Sequence, residues 1–453
     1  MRDLRRQALE SHKTVSRKAR SRIVSTAASK SNSAAASPAQ SRAASRTRPV
    51  SDDDEEYHSD GTAMSTNSID DVINGEDVDI PEGAWKAELN TRIEQITNLK
   101  RSSTEGRAES LNAYTHILMA RYAKDEIEVH ISELLSSMLR SIKQETTERE
   151  ALKALKALGV TILTLDSADI YDDIADQLKR SIQSSTSVEV KANAIYTLGL
   201  AASFAGAGDD EILDIMNFFL EIVESDGASV DAQDDSDVVI AALEQWGLLA
   251  TQIEDLEDET EAAVEAFVEQ LESADSGVQV AAGENIALLY EKSYTAVEAD
   301  DEEPSDADDS DDPEVVKDDI RMVKRYQVYR RQDQLLHTLD GLASVSTRRI
   351  SKKDRKTLHS SFVDVRNSVE RPTRGPGYST TLDKETGKAK GAGTIEVRIN
   401  SGVVVRIDKW WKLLRMNALR RTLQGGFTYH YDQNETVSSV LPFTMSRRVK
   451  TTK

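Results

Sequence analysis

Six cations fall within nine positions of the chain: Arg348, Arg349, Lys352, Lys353, Arg355 and Lys356. Lysines and arginines spaced this closely can neutralise neighbouring phosphates of a nucleic acid. The following apolar pattern predicts a helix over 351–370, so the cluster lies at and just before a helix start. Cations there oppose the helix macrodipole at about 0.3–1 kcal/mol each, and local stability does not account for them. An anionic partner does.

Further cations extend this charge. On a helix predicted from Asp408 to about Leu423, steps of about 100° place Ile407, Trp410, Trp411, Leu414 and Ala418 along one stripe. Lys409, Lys412, Arg415 and Arg420 then occupy the opposite side. An ordinary amphipathic helix with a solvated basic face accounts for this helix equally well, and its tryptophans read as core rather than base-stacking platforms. Arg321, Lys324 and Arg325 share one side of a long helix predicted over 314–346, with Arg330 and Arg331 beyond them. The tail adds Arg447, Arg448 and Lys450. Internal pairing with the acidic parts of the chain competes with nucleic-acid binding for the long helix without excluding it. No RNP or KH motif is present, so backbone contact rather than base reading is expected.

Other chemistry finds little support. There is no cysteine, hence no disulfide framework, thiolate zinc site or cysteine nucleophile. The seven histidines form no H-E-x-x-H or other close metal pair, and His116 and His130 sit within helical patterns. Gly387-Lys-Ala-Lys-Gly-Ala-Gly393 lacks the order of a P-loop. No nucleophile motif occurs, and surface carboxylates are ordinarily just solvated. The expectation is a protein that is not an enzyme, with no catalytic residues, metal, cofactor or small-molecule substrate.

The charge distribution sharpens this. The formal net charge is −22 over 453 residues. Residues 1–50 carry 12 basic and 2 acidic side chains, residues 51–320 carry 17 and 66, and residues 321–453 carry 28 and 11. An acidic body between basic ends points to a polyanionic partner at the ends. No stretch reaches the ~20 apolar residues of a membrane span; the longest uncharged run, Ala192 to Gly208, contains Asn193, Thr197 and Ser203. The start lacks the apolar region of a secretory signal. It overlaps in composition with a mitochondrial transit peptide, against which Asp3 and Glu10 count.

The elements that must hold these residues follow from repetition. Ala154-Leu-Lys-Ala-Leu-Gly159-Val, Ala194-Ile-Tyr-Thr-Leu-Gly199-Leu, Ala242-Leu-Glu-Gln-Trp-Gly247-Leu and Ala282-Gly-Glu-Asn-Ile-Ala287-Leu align without gaps, starting 40, 48 and 40 residues apart. A fainter copy begins near Ala113. This period, with helical spacing of apolar residues, is that of HEAT or armadillo repeats, whose helix pairs must stack to cover their apolar faces. Intervening stretches supply partner helices, among them Glu126 to Lys143. Asp125, the box Thr147 to Glu150, Asp209 and Asp275 mark expected starts. Gly159, Gly199, Gly247 and Ala287 are small where helices must pack closely.

The expected fold class is mainly α: a HEAT/armadillo-like solenoid followed by a small basic α+β module. The expected boundaries are a disordered basic, then acidic arm over 1–80, the solenoid over 81–297, an acidic low-complexity insertion over 298–313, the long helix over 314–346, a separate C-terminal module over 347–445, and a basic tail over 446–453. Within the module, 394–407 alternates like two strands joined at Asn400-Ser-Gly402, after a loop over 371–393.

The phrases around Ala194 and Ala242 resemble the armadillo-type region of the interferon-related developmental regulator family. Lys353 to Arg366 resembles the opening of that family's C-terminal domain. Ile407-Asp-Lys-Trp-Trp-Lys, Leu423-Gln-Gly-Gly-Phe-Thr-Tyr-His-Tyr431 and Asn434-Glu resemble its close. The likeness spans about Trp85 to Leu441, and the 371–393 loop and 298–313 insertion depart from it. It implies a non-enzymatic regulator that occupies the tRNA and mRNA sites of idle ribosomes, meeting rRNA and ribosomal proteins and repressing translation. The alternative it implies is a nuclear co-regulator whose solenoid holds proteins of transcription or deacetylase complexes. A cytoplasmic protein follows from the first role, a nuclear one from the second, and neither needs a membrane.

Overall fold

Paired helices build most of this computed structural model, which describes residues 83–98, 103–165, 170–296, 316–317, 320–344, 352–381, 395–400, 403–442 and 444–445. The arm over 1–80, the insertion over 298–313 and the tail over 446–453 lie outside the described residues, as do Arg348 and Arg349.

Among the described residues, five helix pairs stack in two layers. The first layer is α1 (Ala84–Thr97), α4 (Ile131–Gln144), α6 (Tyr171–Ser184), α8 (Asp209–Glu224) and α10 (Glu257–Gln270). The second is α2 (Thr104–Ala120), α5 (Glu148–Leu165), α7 (Val188–Phe204), α9 (Ser236–Ala250) and α11 (Ser276–Lys292), each packed on the next. A short helix, α3 (Lys124–Glu128), precedes α4. The stretch expected as one helix from Glu126 to Lys143 is therefore broken at Val129–His130, and the helix that resumes is α4.

The repeated phrases all lie on second-layer helices, which are buried almost all round. A helix wet on neither side needs small residues where backbones meet, and the glycines supply them. A Cβ at Gly199 would collide with Gln245 of α9, and one at Gly247 with Asn285 of α11. Asp275 caps α11 as expected, its Oδ1 accepting from the N–H of Gly277 at 2.7 Å and of Val278 at 3.2 Å. At α8 the cap differs: Gly208 takes the position, and the Glu211 carboxylate accepts its N–H at 2.8 Å. Consecutive pairs are tied at helix ends, where carbonyls lack intrahelical donors. Lys191, fully buried, donates to the carbonyls of Ile182 and Gln183 that end α6 and to that of Val230.

The segment after the solenoid departs from expectation. In place of a long helix over 314–346, β2 (Val316–Lys317) and β3 (Ile320–Lys324) form a small antiparallel sheet with β1 (Tyr294–Ala296), in the order β1-β3-β2. Tyr294 pairs with Lys324 and Ala296 with Met322. The run Val315-Val316 and Ile320 to Val323 is rich in β-branched residues that fit a pleated surface. Among the described residues there, the helix is α12 (Gln332–Ser344). Arg321 and Lys324 thus sit three apart on an extended strand instead of along one helix.

Next come α13 (Lys352–Glu370), the antiparallel strands β4 (Ile395–Arg398) and β5 (Val403–Ile407), α14 (Trp410–Leu423), α15 (Phe427–Gln433), α16 (Glu435–Val440) and β6 (Thr444–Met445), which pairs with β5. The hairpin is the one expected. The independence of the module is not: one continuous apolar cluster runs from Leu89 to Leu441 and includes both regions. Helix α13 packs on α11 and α12, while α14 lies across α5, α9 and α11. Phe362 and Val365 of α13 meet the site where Gly283 of α11 lacks a side chain, and Leu414 of α14 approaches Gly247 of α9. Burying a side chain the size of Phe362 stabilises this junction by roughly 1.5–3 kcal/mol.

The backbone after α14 comes closest of all. A Cβ on Gly426 would collide with the Met119 carbonyl at the end of α2. Gly426→Ala should therefore cost about 1–3 kcal/mol as an overpacked contact, read as a lower urea midpoint of the full chain. An unchanged midpoint would show that residues 424–427 do not seat on α2.

Candidate nucleic-acid interface and the docked C-terminal helices

The thirteen expected binding residues divide by position. Lys352, Lys353, Arg355 and Lys356 occupy the first two turns of α13, whose far half is held against α11 through Phe362, Val365 and Val369, all buried. Lys324 is exposed at the end of β3. Arg325 next to it is engaged with Thr295 and donates to the Ala296 carbonyl at 3.1 Å.

On α14 the expected basic face is half-buried and largely committed to the protein itself. Lys412 pairs with Asp408 one turn earlier at 2.7 Å. Arg415 donates through Nε to the Thr251 hydroxyl and through Nη2 to the Thr251 carbonyl, both at 2.8 Å. Both cations also stand over the Trp411 ring, 5.5 Å and 4.8 Å from its centre. Lys409 is half-buried at the helix start, and Arg420 lies 5.7 Å from the Phe427 ring. The reason the amphipathic reading fell short is geometric: α14 crosses several solenoid helices, so its polar side meets their ends rather than water.

Residues absent from the expected set make this docking possible. The N–H groups of Trp410 and Trp411 open α14 and have no cap from Lys409. The Glu291 carboxylate of α11 accepts both, at 2.9 and 3.3 Å. A buried anion at a helix N-terminus is favoured by the macrodipole as well as by the hydrogen bonds. Arg421, next to Arg420, forms a buried ion pair with Glu244 of α9 and lies 4.2 Å from the Tyr196 ring centre. Trp410, fully buried, donates from Nε1 to the Ser368 hydroxyl at 2.7 Å and so ties α14 to α13.

The later phrases cap the solenoid. His430 donates from Nε2 to the Leu118 carbonyl at the end of α2, and Asn434 donates to the Leu163 carbonyl at the end of α5, both at 2.7 Å. Burial pushes the His430 imidazole below its ordinary range. Asp364 of α13 accepts from Gly377 at 3.0 Å and Ser379 at 2.7 Å, pinning the loop after α13; burial raises its carboxyl to about 6. One sequence signal did mark His430 and Asn434, since they fall in the aromatic and glycine-rich phrases of 407–434, but nothing local says they face carbonyls.

Among the described residues, no group of three or more His, Asp or Glu is placed to hold a metal, and no helix is long and apolar enough to cross a membrane.

Residues 58–370 match the interferon-related developmental regulator family, and the chain belongs to it. An uncharacterised protein of Schizosaccharomyces pombe is 27% identical over 391 residues, covering 85% of this chain and 81% of its own length. That second match extends the likeness beyond α13.

The buried charges at the dock set a pH dependence. Glu284 of α11 is raised to about 8 by burial, with Glu244 adding to the rise and Arg421 opposing it. The folded protein keeps this proton where the unfolded chain, near the ordinary 4.5, has released it. That contribution is complete below about 4.5 and is lost as pH rises toward 8. Glu284→Gln should lose less thermal stability than wild type between about pH 6.5 and 8. Parallel midpoint curves would show that Glu284 ionises normally.

Proposed function

We propose that the chain is a non-enzymatic, ribosome-associated regulator that occupies tRNA and mRNA sites of idle ribosomes and so represses translation. The observation that supports this best is charge segregation along a continuous body. Residues 51–320 hold 66 acidic side chains against 17 basic, whereas 321–453 reverse the balance. The densest cationic cluster of the sequence falls at and just before the start of α13, a helix whose other half is anchored on the solenoid. Anchoring limits the entropy lost when the cluster meets a phosphate backbone. Ribosomal RNA is an abundant polyanion, and the acidic first-layer helices α8 and α10 favour contact with basic ribosomal proteins or solvent. Family membership is consistent with this role.

The docked residues Lys412, Arg415 and Arg421 are not assigned to RNA, because their partners lie within the chain. The co-regulator alternative also changes shape. Helices α13 to α16 cover much of the second-layer face, so a transcription or deacetylase complex would have to bind the acidic first layer.

Changing Lys352, Lys353, Arg355 and Lys356 to Glu should abolish co-sedimentation of the full chain with 80S particles. Circular dichroism should stay the same, and wild-type association should fall steeply with salt. Salt-insensitive association, or a variant that co-sediments normally, would remove this cluster from the interface.

A further inference from the structure

The solenoid itself carries cations that no described residue neutralises. Lys153 and Lys156 lie one turn apart on α5, and His116 faces them from the neighbouring helix α2. Among the described residues, no hydrogen bond or ion pair engages any of the three. Their neighbours behave otherwise: on the same two helices Arg107 pairs with Glu150 and Arg149 with Glu105. Two lysines and a histidine without partners thus stand together in a region rich in carboxylates.

Their situation is also unfavourable for the isolated protein. Lys156 is half-buried, and burial, with help from Lys153, lowers its ammonium to about 8. His116 is lowered first by burial, then by the charges of Lys156 and Lys153. Nothing in the packing of α2 on α5 requires these side-chain types, because the helices meet through apolar residues such as Leu111, Leu118, Leu155 and Leu158.

His116 and Ala120 are exposed on the last turns of α2, and the half-buried Arg121 follows its end. There Arg121 stands 5.7 Å from the ring centre of Tyr429, one of the largest exposed apolar side chains described. Cations beside an accessible aromatic ring are the combination that holds a single strand, phosphates on the former and a base on the latter. A protein carboxylate would use the cations but leave the ring without a role.

We propose that His116, Lys153 and Lys156, with Arg121 and Tyr429 at their edge, form a second RNA-backbone contact on the solenoid. It rests on the RNA-binding reading above but uses a different face from the start of α13, so the two can fail separately.

The test is fluorescence anisotropy of a labelled single-stranded RNA oligonucleotide with the full chain over a salt series. Lys153→Gln combined with Lys156→Gln should weaken binding roughly 3- to 10-fold near 0.1 M salt and flatten the salt dependence by about one to two charges. The thermal midpoint should hold or rise, because a poorly solvated charge is removed. Tyr429→Ala, at an exposed ring, should weaken binding without changing the salt slope, and it decides the matter if the double variant unfolds. Wild-type affinity and slope in these variants would overturn the proposal, even if the α13 variants lose RNA. Loss of polyglutamate binding with RNA binding intact would also overturn it, assigning the patch to an acidic protein. If neither the α13 variants nor these change RNA affinity, the functional reading falls with it.

Discussion

Every helix end leaves carbonyl groups without donors, and a stacked solenoid gathers several such ends along one edge. Here the donors come from elsewhere in the chain. His430 serves α2, Asn434 serves α5, and Arg415 serves α9 through Thr251. The Arg325 N–H, at the end of β3, reaches Ser293 at the end of α11 at 2.8 Å. Four of the five second-layer helices described are thus served by residues 32 to 312 positions later. An unmet buried carbonyl costs about 1–3 kcal/mol, so the C-terminal segment belongs to the solenoid energetically as well as spatially.

This constraint reorganises the meaning of the basic residues. A cation that satisfies a carbonyl or carboxylate of the solenoid is a fastener, and α14 supplies two: Arg415 and Arg421. Their removal would read as lost folding rather than lost binding. Among the described residues, Lys153 and Lys156 stand apart from that network, and the α13 cluster is set off from it by its place in the sequence. Positive charge in one segment therefore serves two ends, and composition alone does not separate them.

Much of the architecture was legible beforehand. A 40- to 48-residue recurrence of Ala and Gly at helical spacing has few physical solutions, and the phrases do fall on successive second-layer helices. The hairpin at Asn400 and the helix through Trp410 were equally readable, because period and turn chemistry are local. What escaped was non-local. Val316–Lys317 and Ile320–Lys324 become strand because Tyr294–Ala296 offers an edge, and the helix break near His130 has no Gly or Pro to announce it. That Glu291 would cap a helix more than a hundred residues later is invisible to periodicity. The candidate site was legible to the same extent: the α13 cluster stands out from spacing alone, whereas the amphipathic pattern of α14 could not distinguish a wet face from a docked one.

Hydrogen exchange of the full chain, resolved by segment, tests most directly whether solenoid and C-terminal helices are one body. Amides of α14 should be protected to the same degree as those of α9, and Glu291→Ala should accelerate exchange at Trp410 and Trp411 and in the solenoid ends they adjoin. Rapid exchange across α14 while α9 stays protected would mean that the C-terminal helices are a loosely tethered module, and the account of their cations as fasteners would be wrong.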